Sequence, residues 1–172
     1  MDLTEKTVKE TYLYNGKILN LKKDEIQLPD GKTAVREMVE HSGGSAILCE
    51  KDGKILLVKQ FRYPYKEVIY EIPAGKLNAG EDPAQTAIRE LEEEGGIKAE
   101  RVVKMFDVYP TPAYTNEVIR IYRAEGLSES QIKLDEDEFL TSVWVDKVEI
   151  KKMIECGQIK DAKTLIALLT VL

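Results

Sequence analysis

Residues 75–97 read GKLNAGEDPAQTAIRELEEEGGI, a glycine-bearing loop that runs into a helical pattern and leaves it at a glycine pair. Asp82 is placed to cap that helix, Pro83 suits its first turn and Gly95-Gly96 its end, which predicts a helix over residues 83–94. Ala84, Ala87, Ile88 and Leu91 recur at i, i+3, i+4 and i+7 and define a buried stripe. Glu90, Glu93 and Glu94 share that spacing one face round, so their carboxylates can converge. Arg89, four residues before Glu93, is placed to hold one of them. Glu92 lies off the acidic face and reads as a solvated charge.

This arrangement opposes local stability. The C-terminal end of a helix disfavours an anion by about 0.3–1 kcal/mol, and each acid pair at i,i+4 adds about 0.2–0.5 kcal/mol. A solvated acidic face tolerates such a cost; a site for a hard cation explains it, since clustered oxygen ligands are what Mg²⁺ or Mn²⁺ prefers. Upstream, EIPAGKLNAGED reads as a strand followed by a loop in which Gly75 and Gly80 allow close backbone approach.

Working outward, Asn15-Gly16, Asp30-Gly31 and Asp52-Gly53 are each flanked by apolar residues and signal hairpins. Gly43-Gly44 separates an antiparallel β element, residues 1–42, from a main domain, residues 43–172. RVVKMFDV, EVIRIYRA and TSVWV read as strands by their β-branched and aromatic content. DKVEIKKMIECG reads as a helix opened by a capping box of Asp146 and Glu149 and closed at Gly157, and DAKTLIALLTVL as another after Asp161. Strands first, with helices packed on them, predict an α/β (α+β) fold, an α/β/α sandwich.

Composition narrows the function classes. A net charge of −6 and a pI near 5.1 lack the basic footprint of a nucleic-acid binder. No run of about 18 apolar residues predicts a membrane span. Cys49 and Cys156 are too few for a disulfide framework and the first residues lack an apolar leader core, so a cytoplasmic location is expected. Both cysteines read as small hydrophobes. His41 is the one histidine, which argues against His-based acid–base or zinc chemistry.

Gly75, Glu81, Arg89, Glu90, Leu91, Glu93, Glu94, Gly96 and Ile97 fill every fixed position of the pattern G-x5-E-x7-R-E-U-x-E-E-x-G-U, where U is a bulky aliphatic residue. The chain therefore resembles the Nudix hydrolases, which cleave nucleoside diphosphates linked to another moiety with the help of a divalent metal. The resemblance implies a sandwich with a mixed sheet and a box forming loop, helix and loop. It implies Glu90, Glu93, Glu94 and the Ala74 carbonyl as ligands for Mg²⁺ (or Mn²⁺), with Gly75, Glu81, Arg89 and Gly96 supporting the box. Outside the box, VREMVEH, SGGSAIL, LLVKQFRYPYKEVIYEIPAGK, Pro112 in YPTPAYTNE, and LDEDEFLTSVWV resemble the ADP-ribose pyrophosphatase group.

That group resemblance implies hydrolysis of ADP-ribose to AMP and ribose 5-phosphate. The alternatives are another nucleoside-diphosphate-linked substrate, such as a sugar nucleotide or dinucleotide, and a non-catalytic sensor, which the complete set of box acids disfavours. Arg62 and Arg36 are candidates to clamp phosphate with their planar forks. Glu117 matches a substrate-side position, although TPAYTNE departs from the group's small-residue run at Ala113 and Tyr114. In the acidic run 135–138, Glu138 is the expected general base, oriented by packing at Phe139-Leu140, with Glu136 second and Glu94 counted in both the metal and the catalytic sets. Tyr63 and Tyr65 either stack on adenine or sit at a strand edge. The expected partners are a small nucleoside diphosphate derivative and a second copy of the chain, a homodimer for which the N-terminal strands are suited to serve as an arm, with neither nucleic acid nor membrane.

Overall fold

Turn chemistry builds the first sheet in the computed structural model, which describes residues 2–172. Strands β1 (Lys6–Lys9) and β2 (Tyr12–Asn15) pair antiparallel with successive halves of β3 (Leu19–Gln27). Along its full length β3 also pairs antiparallel with β4 (Thr33–His41). The β3–β4 turn holds Gly31 at φ +86°, a conformation that side chains avoid. This unit, residues 1–43, also takes in residues 109–118. Val39 N donates to Tyr114 O at 2.7 Å and Asn116 N to Val39 O at 3.3 Å, so the distant segment completes the edge of β4. Such a long-range pairing has no local sequence signal, and the contiguous division at residue 43 leaves it out.

The second unit comprises residues 44–108 and 119–172. Its elements begin with β5 (Gly44–Leu48), β6 (Glu50–Lys51), β7 (Lys54–Arg62), β8 (Glu67–Glu71), β9 (Ala74–Lys76) and α1 (Pro83–Gly95). They continue with β10 (Ile97–Val108), β11 (Ile119–Glu129), β12 (Leu140–Asp146), α2 (Lys147–Glu155) and α3 (Ala162–Leu169). One sheet runs β10-β11-β5-β9, with β11 and β5 parallel and the other pairs antiparallel; a second antiparallel sheet has β7 at its centre.

The period-2 alternation of side chains divides the core. Ala46 and Leu48 of β5, with Ile55 and Leu57 of β7, face the buried residues of α2 and α3, while Ile47, Cys49 and Leu56 face Ala87 and Leu91 of α1. Helices thus cover both faces, the α/β/α arrangement. Between β6 and β7, Asp52 and Gly53 both have positive φ, +52° and +75°, as a tight hairpin turn requires.

Helix α1 starts as read. Asp82 Oδ1 accepts from Ala84 N at 2.9 Å and Gln85 N at 3.2 Å; the helix runs one residue beyond the expected end, to Gly95, before Gly96 closes it at φ +64°. Helix α2 corrects the capping-box reading: the Asp146 side chain makes no cap hydrogen bond, and Glu149 pairs instead with Lys152 at 3.1 Å. Helix α3 is capped by Asp161, which accepts from Thr164 N at 3.0 Å and Thr164 Oγ1 at 2.6 Å. Among the described residues, no helix is long and apolar enough to cross a membrane. Cys49 is buried, which pushes its thiol up to about 12, but Cys156 is exposed at the end of α2.

Candidate metal and catalytic site

Burial of Ala87 and Leu91 fixes the rotation of α1 and so directs its neighbouring face. On that face Arg89 is the hub. Its Nε donates to Glu81 Oε1 at 2.9 Å and its Nη1 to Glu93 Oε2 at 2.7 Å, with Glu90 Oε1 2.8 Å from the same Nη1. The Arg89 hydrogen bond holds the Glu81 carboxyl down to about 2, aided by Asn78 N–H, and Glu81 in turn raises Arg89. The loop before the helix and the helix itself are thereby tied together.

Two carboxylates lie deeper. Glu90 and Glu94 are 6% and 3% exposed, and burial pushes them up to about 7 and about 8. For Glu90 the Arg89 charge works against that rise and Glu93 with it; for Glu94 the Glu90 charge adds to the rise and the Ala74 N–H, donating at 2.9 Å, opposes it. Two buried carboxylates that resist joint ionisation describe a pocket short of positive charge.

The residues present fit a divalent cation on three observations. The donors are all oxygens, the two innermost lack a full counter-charge, and a Cβ at Gly75 would overlap the Glu90 carboxylate, so the glycine keeps open the space those oxygens occupy. Among the described residues no three acidic, His or Cys side chains are already gathered around one point. The reason is Arg89, which draws Glu93 and one oxygen of Glu90 toward itself.

Glu138 and Glu136 fare differently. The Glu138 charge adds to the rise of both Glu90 and Glu94, and its side chain is half-buried, whereas Glu136 is exposed. Glu138 also lines a cavity of about 470 Å³ with Lys59, Phe61, Val68 and Leu134. The packing reason for its orientation needs correction, because Phe139 is 82% exposed. A turn orients it instead: Glu138 N donates to Asp135 O at 3.0 Å, and β12 starts at Leu140, paired with Gln60. Glu92 is also corrected. It accepts from Ser130 Oγ at 2.7 Å and lies 3.3 Å from Lys98, which hold its carboxyl below the usual range.

Arg62 meets a carboxylate, its Nε and Nη2 donating to Glu71 at 2.5 and 2.9 Å. Sequence reasoning missed this Glu71, and with it Lys163, which reaches Glu71 from α3 and lies 3.0 Å from Asp161. The signals were a glutamate in the buried phase of VIYEI and the single charge in AKTLIALL. In the first unit, Arg36 pairs with Glu5, and Glu117 sits 3.4 Å from His41 Nδ1. Tyr63 and Tyr65 are exposed, with the Lys66 ammonium over the Tyr63 ring.

Comparison with known proteins agrees with this geometry. The NUDIX domain profile matches residues 32–167, and a nucleoside diphosphate sugar hydrolase N-terminal domain profile matches residues 5–39. An ADP-ribose pyrophosphatase of Bacillus subtilis (strain 168) is 43% identical, covering 96% of this chain and 91% of the relative. A methanol dehydrogenase activator of Bacillus methanolicus is 41% identical over 95% of this chain and 90% of its own. A crystal structure described as an ADP compounds hydrolase superposes with a TM-score of 0.86 at 19% identity, covering 99% of this chain and 94% of that one, a likeness of fold.

Proposed function

The chain belongs to the NUDIX domain family, and on that premise we propose that it hydrolyses ADP-ribose to AMP and ribose 5-phosphate. The observation that carries this reading is the 43% identity to an ADP-ribose pyrophosphatase along 96% of the chain, joined to a box with no acid missing. Diphosphates resist hydrolysis because their charge repels nucleophiles. A divalent cation, when bound, supplies positive charge against phosphoryl oxygens and makes hydroxide accessible near neutral pH.

Glu90, Glu93, Glu94 and the Ala74 carbonyl would hold that cation, Mg²⁺ or Mn²⁺. Glu138 takes the proton from the attacking water, with Glu136 as the lesser candidate. Because the Glu71 pair engages Nε and Nη2 of Arg62, Nη1 is the group assigned to a phosphate oxygen. Arg36 and Glu117 are assigned to substrate contacts. The working form is a cytoplasmic homodimer that uses the N-terminal strands across its interface, and a sedimenting monomer under assay conditions would remove it.

Glu138→Gln is expected to cut kcat by roughly 10²–10⁴ while KM and the metal response stay near wild type, the range for an acid–base group. An unchanged rate removes Glu138 from the mechanism. The substrate is tested by product analysis over ADP-ribose, sugar nucleotides and dinucleotides with Mg²⁺, where preference for any other compound overturns the assignment.

A further inference from the structure

Glu138 sits in a stretch, residues 131–139, that forms neither helix nor strand, and the neighbouring Phe139 is exposed. Its position therefore comes from its own turn, in which Glu138 N donates to Asp135 O, and from how the two ends of the stretch are tied. Downstream the tie is β12, which begins at Leu140. Upstream it is a strap across the C-terminal end of α1. Ser130 N donates to Gly96 O at 2.7 Å, Lys133 N donates to Glu93 O at 3.0 Å, and Ser130 Oγ donates to Glu92 Oε1 at 2.7 Å. Two of these bonds satisfy carbonyls that a helix end otherwise leaves open. A Cβ on Gly96 would come within 3.0 Å of Ile132 Cγ1, so the strap lies close against the helix cap.

We propose that Glu92 and Ser130 are positioning residues: their hydrogen bond fastens the strap to the metal-binding helix and so sets where Glu138 stands relative to Glu90 and Glu94. This rests on the reading of Glu138 as the base. With the strap fastened, only residues 134–139 lie between the last tied backbone and the strand. Loss of the Ser130 Oγ bond leaves two backbone bonds to hold the strap, and if those open with it residues 130–133 are freed as well, up to about 13 Å more reach at about 3.3 Å per residue. Catalytic groups lose on the order of 10²-fold for a displacement of about 1 Å, so a strap that limits travel has leverage on rate. Glu92 occupies a free position of the box and need only accept a hydrogen bond, and it does so from the helix that carries the metal-binding acids.

The test is kinetic and dynamic together. Ser130→Ala and Glu92→Ala are expected to lower kcat roughly 10-fold, with KM for ADP-ribose and the Mg²⁺ concentration for half-activation unchanged. Backbone hydrogen exchange should rise across residues 130–139 and stay unchanged through the first turns of α1. Glu92→Gln, whose amide oxygen still accepts from Ser130, should keep the wild-type rate. In a Glu138→Gln background, Ser130→Ala should cost nothing further. Wild-type kcat in Ser130→Ala, whether or not exchange rises, overturns the strap, as does equal loss in Glu92→Gln and Glu92→Ala. If Glu138→Gln itself keeps the wild-type rate, the base assignment fails first; a slow Glu138→Gln beside a fast Ser130→Ala removes the strap alone.

Discussion

Two buried charge clusters in the second unit behave in opposite ways. Around Arg62 and Lys163 stand Glu71 and Asp161, two cations with two anions. Around Arg89 stand Glu81, Glu90 and Glu93, with Glu94 beside Glu90, one cation with four anions. Glu71 is 2% exposed, yet its carboxyl lies below the ordinary range: burial pulls it up, and the Arg62 hydrogen bond and Lys163 charge outweigh that pull. Glu90 and Glu94 are buried to a similar depth and are pushed up. Burial alone therefore does not mark the working site. A shortage of counter-charge distinguishes them: the Glu71 cluster pairs its own cations and anions, the acidic one carries surplus negative charge that a cation would balance, and the two adjoin through the Glu94 charge at Arg62.

The sharpest attempt to break this contrast is removal of the metal. Chelation is expected to take activity to background while the protein stays folded by circular dichroism; residual turnover would mean that the acidic cluster needs no cation. Next in size, Glu94→Gln should lower kcat/KM on the order of 10³-fold, equivalent to several kcal/mol of transition-state stabilisation. The same variant should unfold at a higher denaturant concentration than wild type in metal-free buffer at pH 8. Glu71→Gln should do the reverse and lose about 3–5 kcal/mol in urea unfolding, because it strands buried positive charge. Equal stability changes in the two variants would erase the distinction.

The smallest effect is the pH dependence of metal-free stability. Glu90 and Glu94 have folded-state values raised above the ordinary 4.5, so their contribution is full below that value and is lost as pH rises through about 7 and about 8. Glu81 is lowered, so its contribution is present above 4.5 and is lost as pH falls toward about 2. Scanning calorimetry with chelator should show the midpoint falling from pH 5 to pH 8, with Mg²⁺ recovering more at pH 8 than at pH 5. A midpoint that rises over that interval would contradict the raised values.

Legibility in the sequence followed interaction range. The span and cap of α1, the pairing of Arg89 with Glu93, and the hairpins at Asp30-Gly31 and Asp52-Gly53 were readable because turns, caps and i,i+4 contacts are set by neighbours in the chain. The capping box at Asp146 misled because Glu149 had a second local partner in Lys152. Glu92 misled for a different reason. Its partner Ser130 lies 38 residues away, and a free position in a motif says nothing about contacts made across the fold.

By itself the sequence determined helix α1, its cap, its buried stripe and the full set of box acids, because helical periodicity places residues three and four apart on one face whatever surrounds them. Only the tertiary structure decided which of those acids lack counter-charge, that Arg62 and Lys163 both meet Glu71, and that the Glu138 charge reaches Glu90 and Glu94. Burial and charge balance are sums over groups from β7, β8, α1, α3 and the loop before β12, and those groups become neighbours only when the sheet and helices close around them.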